Sequence, residues 1–299
     1  MKKSYLFLIG LFLLSSARAQ QTEPALAKAH YLFKHVNDTS NREQFRRDEM
    51  VLYLGKNSSY FTSYSSNRAQ EDIKKQMDNP AFDGNLKIVR NTSPTQESYY
   101  CRPHEHKLTE LKDVAGDKFL VDTQWPELDW NIGEETRKIG GYKTQKAQTN
   151  YKGRNYTAWF TTELPFPFGP WKLQGLPGLI LEAYDDKKEV IFEYSGFDKL
   201  DNGLLNVELP ANAVKSNLKE IKKIQDAFHA NPQAYIQAKQ AQRQNAAGVS
   251  VSGNSISVSA TSAKASGEMD MSKIKSVNVQ QDDNYKPSKI TNNPIELIP

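Results

Sequence analysis

Polar and apolar side chains alternate over residues 27–36, where Tyr31, Phe33 and His35 interleave with Leu32, Lys34 and Val36. A period of two predicts a strand with two unlike faces. Residues 50–54 are apolar, Gly55-Lys56-Asn57-Ser58 has turn chemistry, and Tyr60, Phe61 and Tyr64 follow among Ser and Thr. Aromatic and β-branched residues bounded by Gly and Asn predict an antiparallel pair. Further strands are predicted over 86–89, 98–101, 118–121, 128–132, 155–162, 179–184 and 190–194, with Asp185 to Lys188 as a hairpin loop. Ile139-Gly140-Gly141-Tyr142 marks a turn or bulge. Pro165, Pro167, Pro170 and Pro177 fall close together, and proline cannot donate to a ladder. That stretch is expected to be a rigid irregular crossing or an edge.

Helical spacing is scarcer. Residues 69–78 read as a short polar helix ended by Asn79-Pro80, and Leu218, Ile221, Ile224 and Phe228 form one apolar stripe. Asn231-Pro232 closes that helix and opens a second over 233–246, which has a weak apolar face. Strands that follow one another without intervening helices argue against a parallel α/β sheet. The expected fold is mainly β, a β-rich α+β arrangement. It is an antiparallel curved sheet or half-open barrel with one or two C-terminal helices packed on it.

Composition adds boundaries. Only 38% of the 299 residues are hydrophobic, so some segments should lie outside the core. From Gly248 the chain turns Ser-rich and simple, and residues 247–285 are expected to form a flexible insert. Residues 286–299 regain apolar character and are expected to dock as an edge strand. Lys2 and Lys3, the apolar run 5–14 and Ala17-Arg18-Ala19 have the order of a secretory signal peptide over 1–19, with cleavage between Ala19 and Gln20. This implies a periplasmic or secreted protein whose β-rich domain spans 20–246. No internal apolar run is long enough to cross a bilayer as a helix. The formal charge of +4 contains no basic block, which argues against nucleic-acid binding.

The segment Gly175-Leu176-Pro177-Gly178-Leu179-Ile180 places Pro second and Gly third of a four-residue turn, so a type II turn releasing into an apolar strand is expected. It holds no nucleophile, base or phosphate loop. With Leu128-Asp129-Trp130-Asn131-Ile132, Lys138-Ile139-Gly140-Gly141-Tyr142, Gly153-Arg154-Asn155-Tyr156, Gly169-Pro170-Trp171-Lys172 and the ending Asn293-Pro294-Ile295-Glu296-Leu297, it resembles the GLPGLI family of exported Bacteroidetes proteins. The resemblance covers most of residues 27–230 plus the terminus. It implies export and a β-rich domain but no assigned reaction, and it associates some members with outer-membrane transport systems. Many members have Cys where this chain has Thr144.

Candidate chemistry is sparse. Cys101-x-x-His104-x-His106 is a weak metal candidate, because His104 and His106 would share a face if extended and Zn or Cu accepts such ligands. The competing reading is an exposed loop. Asp185-Asp186 sits in a predicted turn, where adjacent carboxylates splay apart. No G-x-S-x-G, S-x-x-K, dinucleotide or P-loop pattern is present, and no cofactor is implied. Trp159, Phe160, Phe166, Phe168 and Trp171 read first as a core with a rigid proline loop. Their functional reading is an apolar groove for a peptide or lipid, with Phe166-Pro167-Phe168 as its exposed rim. The leading expectation is an exported cell-envelope binding or accessory protein without its own catalytic activity, serving an outer-membrane transport system. A peptidase-like hydrolase with dispersed residues and a metal carrier are the alternatives.

Overall fold

The computed structural model describes residues 22–201, 203, 205–247 and 271–298. The leader 1–19 and the Ser-rich stretch 248–270 lie outside the described residues. The chain runs β1 (Glu23–Pro24), β2 (Ala27–His35), β3 (Arg46–Leu54), β4 (Ser59–Ser63), α1 (Ser65–Met77), β5 (Asn85–Arg90), β6 (Glu97–Arg102), β7 (Lys107–Val114) and β8 (Asp117–Thr123). It continues through β9 (Asn131–Ile139), β10 (Tyr142–Tyr151), β11 (Arg154–Thr161), β12 (Leu179–Asp185), β13 (Val190–Lys199), β14 (Asn206–Val207) and β15 (Val214–Lys215). Helices α2 (Leu218–Ala230) and α3 (Pro232–Ala247) precede β16 (Ser276–Gln281). No described helix is long and apolar enough to cross a membrane.

Twelve strands form one open sheet in the order β15-β8-β7-β6-β4-β3-β2-β13-β12-β11-β10-β9, antiparallel throughout except between β15 and β8. The sheet does not close into a barrel. Its connectivity nevertheless forces it to curl. A flat sheet would hold β8 and β9 about 48 Å apart, at about 4.8 Å for each of ten steps. The chain from Thr123 to Asn131 can reach only about 28 Å when fully extended. The two ends of the sheet therefore approach each other, and the inner face becomes a trough.

The trough is filled by the chain itself. Tyr31, Phe33, Met50, Leu52, Phe61, Ala158, Phe160, Leu181 and Phe192 share one core with Leu164, Phe168, Leu173 and Leu176 from the proline-bearing crossing between β11 and β12. The crossing is thus an inner plug rather than an edge. Tyr31 Oη donates to the Ile180 carbonyl at 2.7 Å, tying β2 to the start of β12. The turn at Pro177 differs from the expected type II turn. The Gly178 amide bonds the Leu176 carbonyl at 2.7 Å, two residues back, and the Leu179 amide goes to Leu164 at 3.0 Å. The proline φ suits such a tight three-residue turn, and Gly178 is left with its backbone against Thr161.

One predicted strand needs correction, and β7 and the β9–β10 hairpin are strands that the sequence reading did not name. The expected strand over 128–132 is irregular until Asn131. The β9–β10 hairpin and β7 carry no apolar alternation in the sequence. Most of β9 is exposed, and the inward positions of β7 include Glu110 and Lys112. Helix α2 packs Ile221 against Val114 and Val121, whereas Leu218 stays exposed. Residues 276–281, expected within a flexible insert, pair in parallel with β5. The C-terminal segment 286–298 docks without forming a strand.

Candidate functional site

One end of the trough holds a cavity of about 860 Å³. Its floor is Phe33, Met50, Phe61 and Phe192, from β2, β3, β4 and β13. Strand pairing extends this surface toward the sheet's edge. Phe61 lies opposite Tyr99, Tyr99 opposite Glu110, and Glu110 opposite Val121. Glu97 and Lys112 face each other one step along, on the same side as Tyr99 because side chains repeat every second residue. An apolar face thus turns charged as it leaves the core. Lys112 Nζ lies 2.7 Å from Glu110 Oε1 and 3.8 Å from Glu97 Oε1.

The opposite wall comes from Tyr151, Lys152, Trp171 and Lys172. Trp171 has φ +58°, a left-handed conformation uncommon for a tryptophan. The surrounding plug holds it there, within the buried core. Burial, and then the charges of Glu110 and Glu97, push the Tyr99 hydroxyl well above the ordinary phenol range, so it stays protonated. Lys172 forms an ion pair with Glu296 and sits 5.6 Å from the Tyr99 ring centroid. Trp125 and Glu127, from the β8–β9 connection, also line the cavity. Thr291, Pro294, Ile295 and Glu296 complete it. Aromatic surface beside ion-paired groups suits a molecule with an apolar body and a polar end. Because Glu110, Lys112, Lys172 and Glu296 already hold partners, their charges are fixed in place.

The tail that forms this last wall is held by Arg154, which is 3% exposed. Arg154 Nη1 donates to Asp185 Oδ2 at 2.7 Å and Glu189 Oε2 at 3.0 Å. Its Nη2 donates to Asn293 Oδ1 at 2.6 Å and the Pro294 carbonyl at 2.8 Å, and its Nε to the Ile295 carbonyl at 2.8 Å. All five guanidinium hydrogens are therefore used. His35 Nε2 lies 2.8 Å from the Asn293 carbonyl and donates to it. Burial, set against that hydrogen bond, lowers the His35 pKa to about 4, so the ring is neutral at physiological pH.

The aromatic set named from the sequence is not brought together here. Of it, Trp171 alone lines the cavity. Phe160 and Phe168 are buried in the core. Trp159 turns to the other face, where the Arg137 guanidinium lies 4.1 Å from its ring centroid. Phe166 is half-buried near Phe197, so no exposed Phe166-Pro167-Phe168 rim exists. None of Gly175, Leu176, Pro177, Gly178, Leu179 or Ile180 lines the cavity. The metal candidate comes apart. Pro103–Glu105 is a 3₁₀ turn rather than an extended segment. Cys101 faces the core, His104 is exposed, and His106 stacks on Trp125 at 5.4 Å. Among the described residues no group of three His, Cys, Asp or Glu is placed to hold a metal ion. Burial pushes the Cys101 thiol up to about 12. Its reaction with a thiol reagent is expected only on unfolding, and rapid labelling of the native chain would contradict its inward placement.

The residues that the sequence reading did not single out are Glu97, Tyr99, Glu110, Lys112, Arg154, Glu189 and Glu296, and Asp185, read there as a turn residue, also holds Arg154. Charged residues at inward positions of strands were the available signal for Glu97, Glu110 and Lys112. It stays unreadable without a strand assigned over 107–114.

A family model described as a protein of unknown function (Porph_ging) matches residues 148–182, from β10 through the plug into β12. No curated protein matches the chain. Two solved structures of PNGF-II, in different space groups, are similar at 16% identity over 69% of this chain, with TM-scores of 0.45 and 0.44. The match spans about a third of their length, 33% and 32%.

Proposed function

We propose that this chain is an exported cell-envelope binding protein of the GLPGLI type that holds an apolar or amphipathic molecule, a peptide or lipid, in the trough cavity. It acts as an accessory module, with no catalytic group of its own, beside an outer-membrane transport system. The observation that carries the reading is the cavity of about 860 Å³ with an aromatic floor and ion-paired walls. That volume falls in the range of ligand pockets, roughly 300–1,000 Å³. The signature hexapeptide supports it indirectly, because it shapes the plug and stays out of the cavity. The leader-like N-terminus supports export, and the transport association follows from the family resemblance.

The test is saturable binding of an anilinonaphthalene probe to the folded chain, competed by a long-chain fatty acid or an apolar peptide. Thr95→Trp places a bulky ring on the cavity wall and is expected to weaken the probe roughly tenfold without lowering Tm. No saturable binding to a natively folded chain, or equal binding by Thr95→Trp, would remove the cavity from consideration.

A further inference from the structure

The Arg154 centre has the construction of a peptide-recognition site. Its acceptor half belongs to the sheet. Asp185 Oδ1 is fixed by the amides of Glu189 and Val190 at 2.7 and 2.8 Å, and Asp185 Oδ2 and Glu189 Oε2 hold Arg154 Nη1. These bonds need nothing from the tail. The remaining guanidinium donors, on Nη2 and Nε, all point to the tail. The site therefore presents donors in a fixed fork, oriented before the tail arrives.

What they read is specific. Asn293 Oδ1 accepts from Arg154 Nη2, and its Nδ2 donates to the Val36 carbonyl at 2.7 Å and Glu189 Oε2 at 3.0 Å. Its main-chain carbonyl takes the His35 bond, and its amide meets the Asn37 carbonyl at 3.2 Å. Every polar group of this asparagine is engaged. The next position has no amide hydrogen to satisfy, which suits proline. Arg154 reaches Pro294 and Ile295 through their carbonyls, and the Ile295 side chain packs against the core, so the third position takes an apolar residue. Glu296 is then held by Lys172. The pattern read is Asn-Pro-x-Glu in an irregular segment that bends at Asn293 and Ile295, and Pro294, Ile295 and Glu296 form one wall of the cavity.

We propose that the Arg154 centre is a binding site for an Asn-Pro-x-Glu peptide, filled in cis by residues 293–296, and that a peptide of this class supplied in trans displaces the tail and opens the cavity. The effect on the cavity rests on the binding reading above. The peptide recognition does not.

The probe is a labelled peptide of residues 291–298 (Thr-Asn-Asn-Pro-Ile-Glu-Leu-Ile), read by fluorescence anisotropy against the full chain. In the wild type the tethered tail competes at an effective concentration in the millimolar range, so the labelled peptide binds weakly. Asn293→Ala weakens the tail alone, and the peptide is expected to bind that variant at least tenfold more tightly. A peptide with Ala at the position of Asn293 is expected not to bind. Binding of neither chain, equal binding of both, or equal binding of the Ala peptide would overturn the proposal. Hydrogen exchange on the wild-type chain provides a test without a variant. Amides of Leu297 and Ile298, which bond the Lys152 carbonyl, are expected to exchange at least a hundredfold faster than those of β2 and β11, through local release. Exchange at the rate of the core would show that the tail leaves only on global unfolding. The anilinonaphthalene probe, measured in parallel, separates the two readings. Peptide exchange with no probe binding would retain the peptide site and discard the cavity ligand.

Discussion

Gly178→Val is expected to destabilise the fold by about 3 kcal/mol or more, at the upper end of the cost of overpacking a core. A Cβ at this position would stand 2.0 Å from the Thr161 carbonyl oxygen and 2.7 Å from its carbonyl carbon. Both are backbone atoms of β11, which is paired on either side, so neither can rotate away. Gly175 supplies the contrast. It has φ +92° and nothing within 4 Å of an added Cβ. Gly175→Ala therefore meets only the left-handed penalty, about 1–2 kcal/mol. Equilibrium denaturation with urea measures both, read as a shift in midpoint at unchanged slope. A Gly178→Val midpoint matching that of Gly175→Ala would mean that the plug does not press against Thr161.

This contrast also shows what could be read from the residues. The hexapeptide announced a turn between packed segments, because proline and glycine narrow the backbone choices wherever they occur. It did not announce a close approach to Thr161, since that contact depends on a strand many residues earlier. The strands with apolar faces, β2, β3, β11, β12 and β13, were legible because one side of each enters the core. β9 was not, because as an edge strand it buries little, and β10 was not, because its buried positions are Thr144, Ala147 and Thr149. β7 was hidden because of what it faces. Its inward positions Glu110 and Lys112 face a cavity, so the periodicity that marks a strand was written in charge rather than in hydrophobicity. The Arg154 network was illegible for another reason. It joins residues 154, 185, 189 and 293, and no local pattern relates them. Asp185 looked like an ordinary turn aspartate, and it does bond the amides of its own turn, but its second oxygen takes the buried guanidinium.

Arg154→Met is expected to cost 3–5 kcal/mol at neutral pH, the usual range for breaking a buried ion pair by removing one partner. Methionine fills much of the same volume, so the loss is electrostatic rather than a cavity. It leaves Asp185 without its cation, leaves Glu189 with Arg42 at 2.9 Å as its remaining one, and strips the Asn293, Pro294 and Ile295 oxygens of their Arg154 donors. Arg154→Lys should recover part of the loss, because an ammonium keeps the charge but offers three donors in place of five. The pH dependence separates this from a packing defect. Burial works to raise the Glu189 pKa, but hydrogen bonds from Arg154, Arg42 and Asn293 prevail and hold it below the ordinary carboxylate range. A carboxyl depressed in the folded state contributes stability that is present above its unfolded pKa and is lost as pH falls through the folded value. The wild type therefore loses this contribution on acidification. In Arg154→Met the Glu189 carboxylate keeps its burial but loses a donor, so protonation costs the variant less than it costs the wild type. The difference in unfolding free energy between the two chains should narrow as pH falls toward and then below about 4, the ordinary carboxylate value. A gap that stays constant from pH 7 to pH 3 would assign the loss to packing and leave the guanidinium without an electrostatic role.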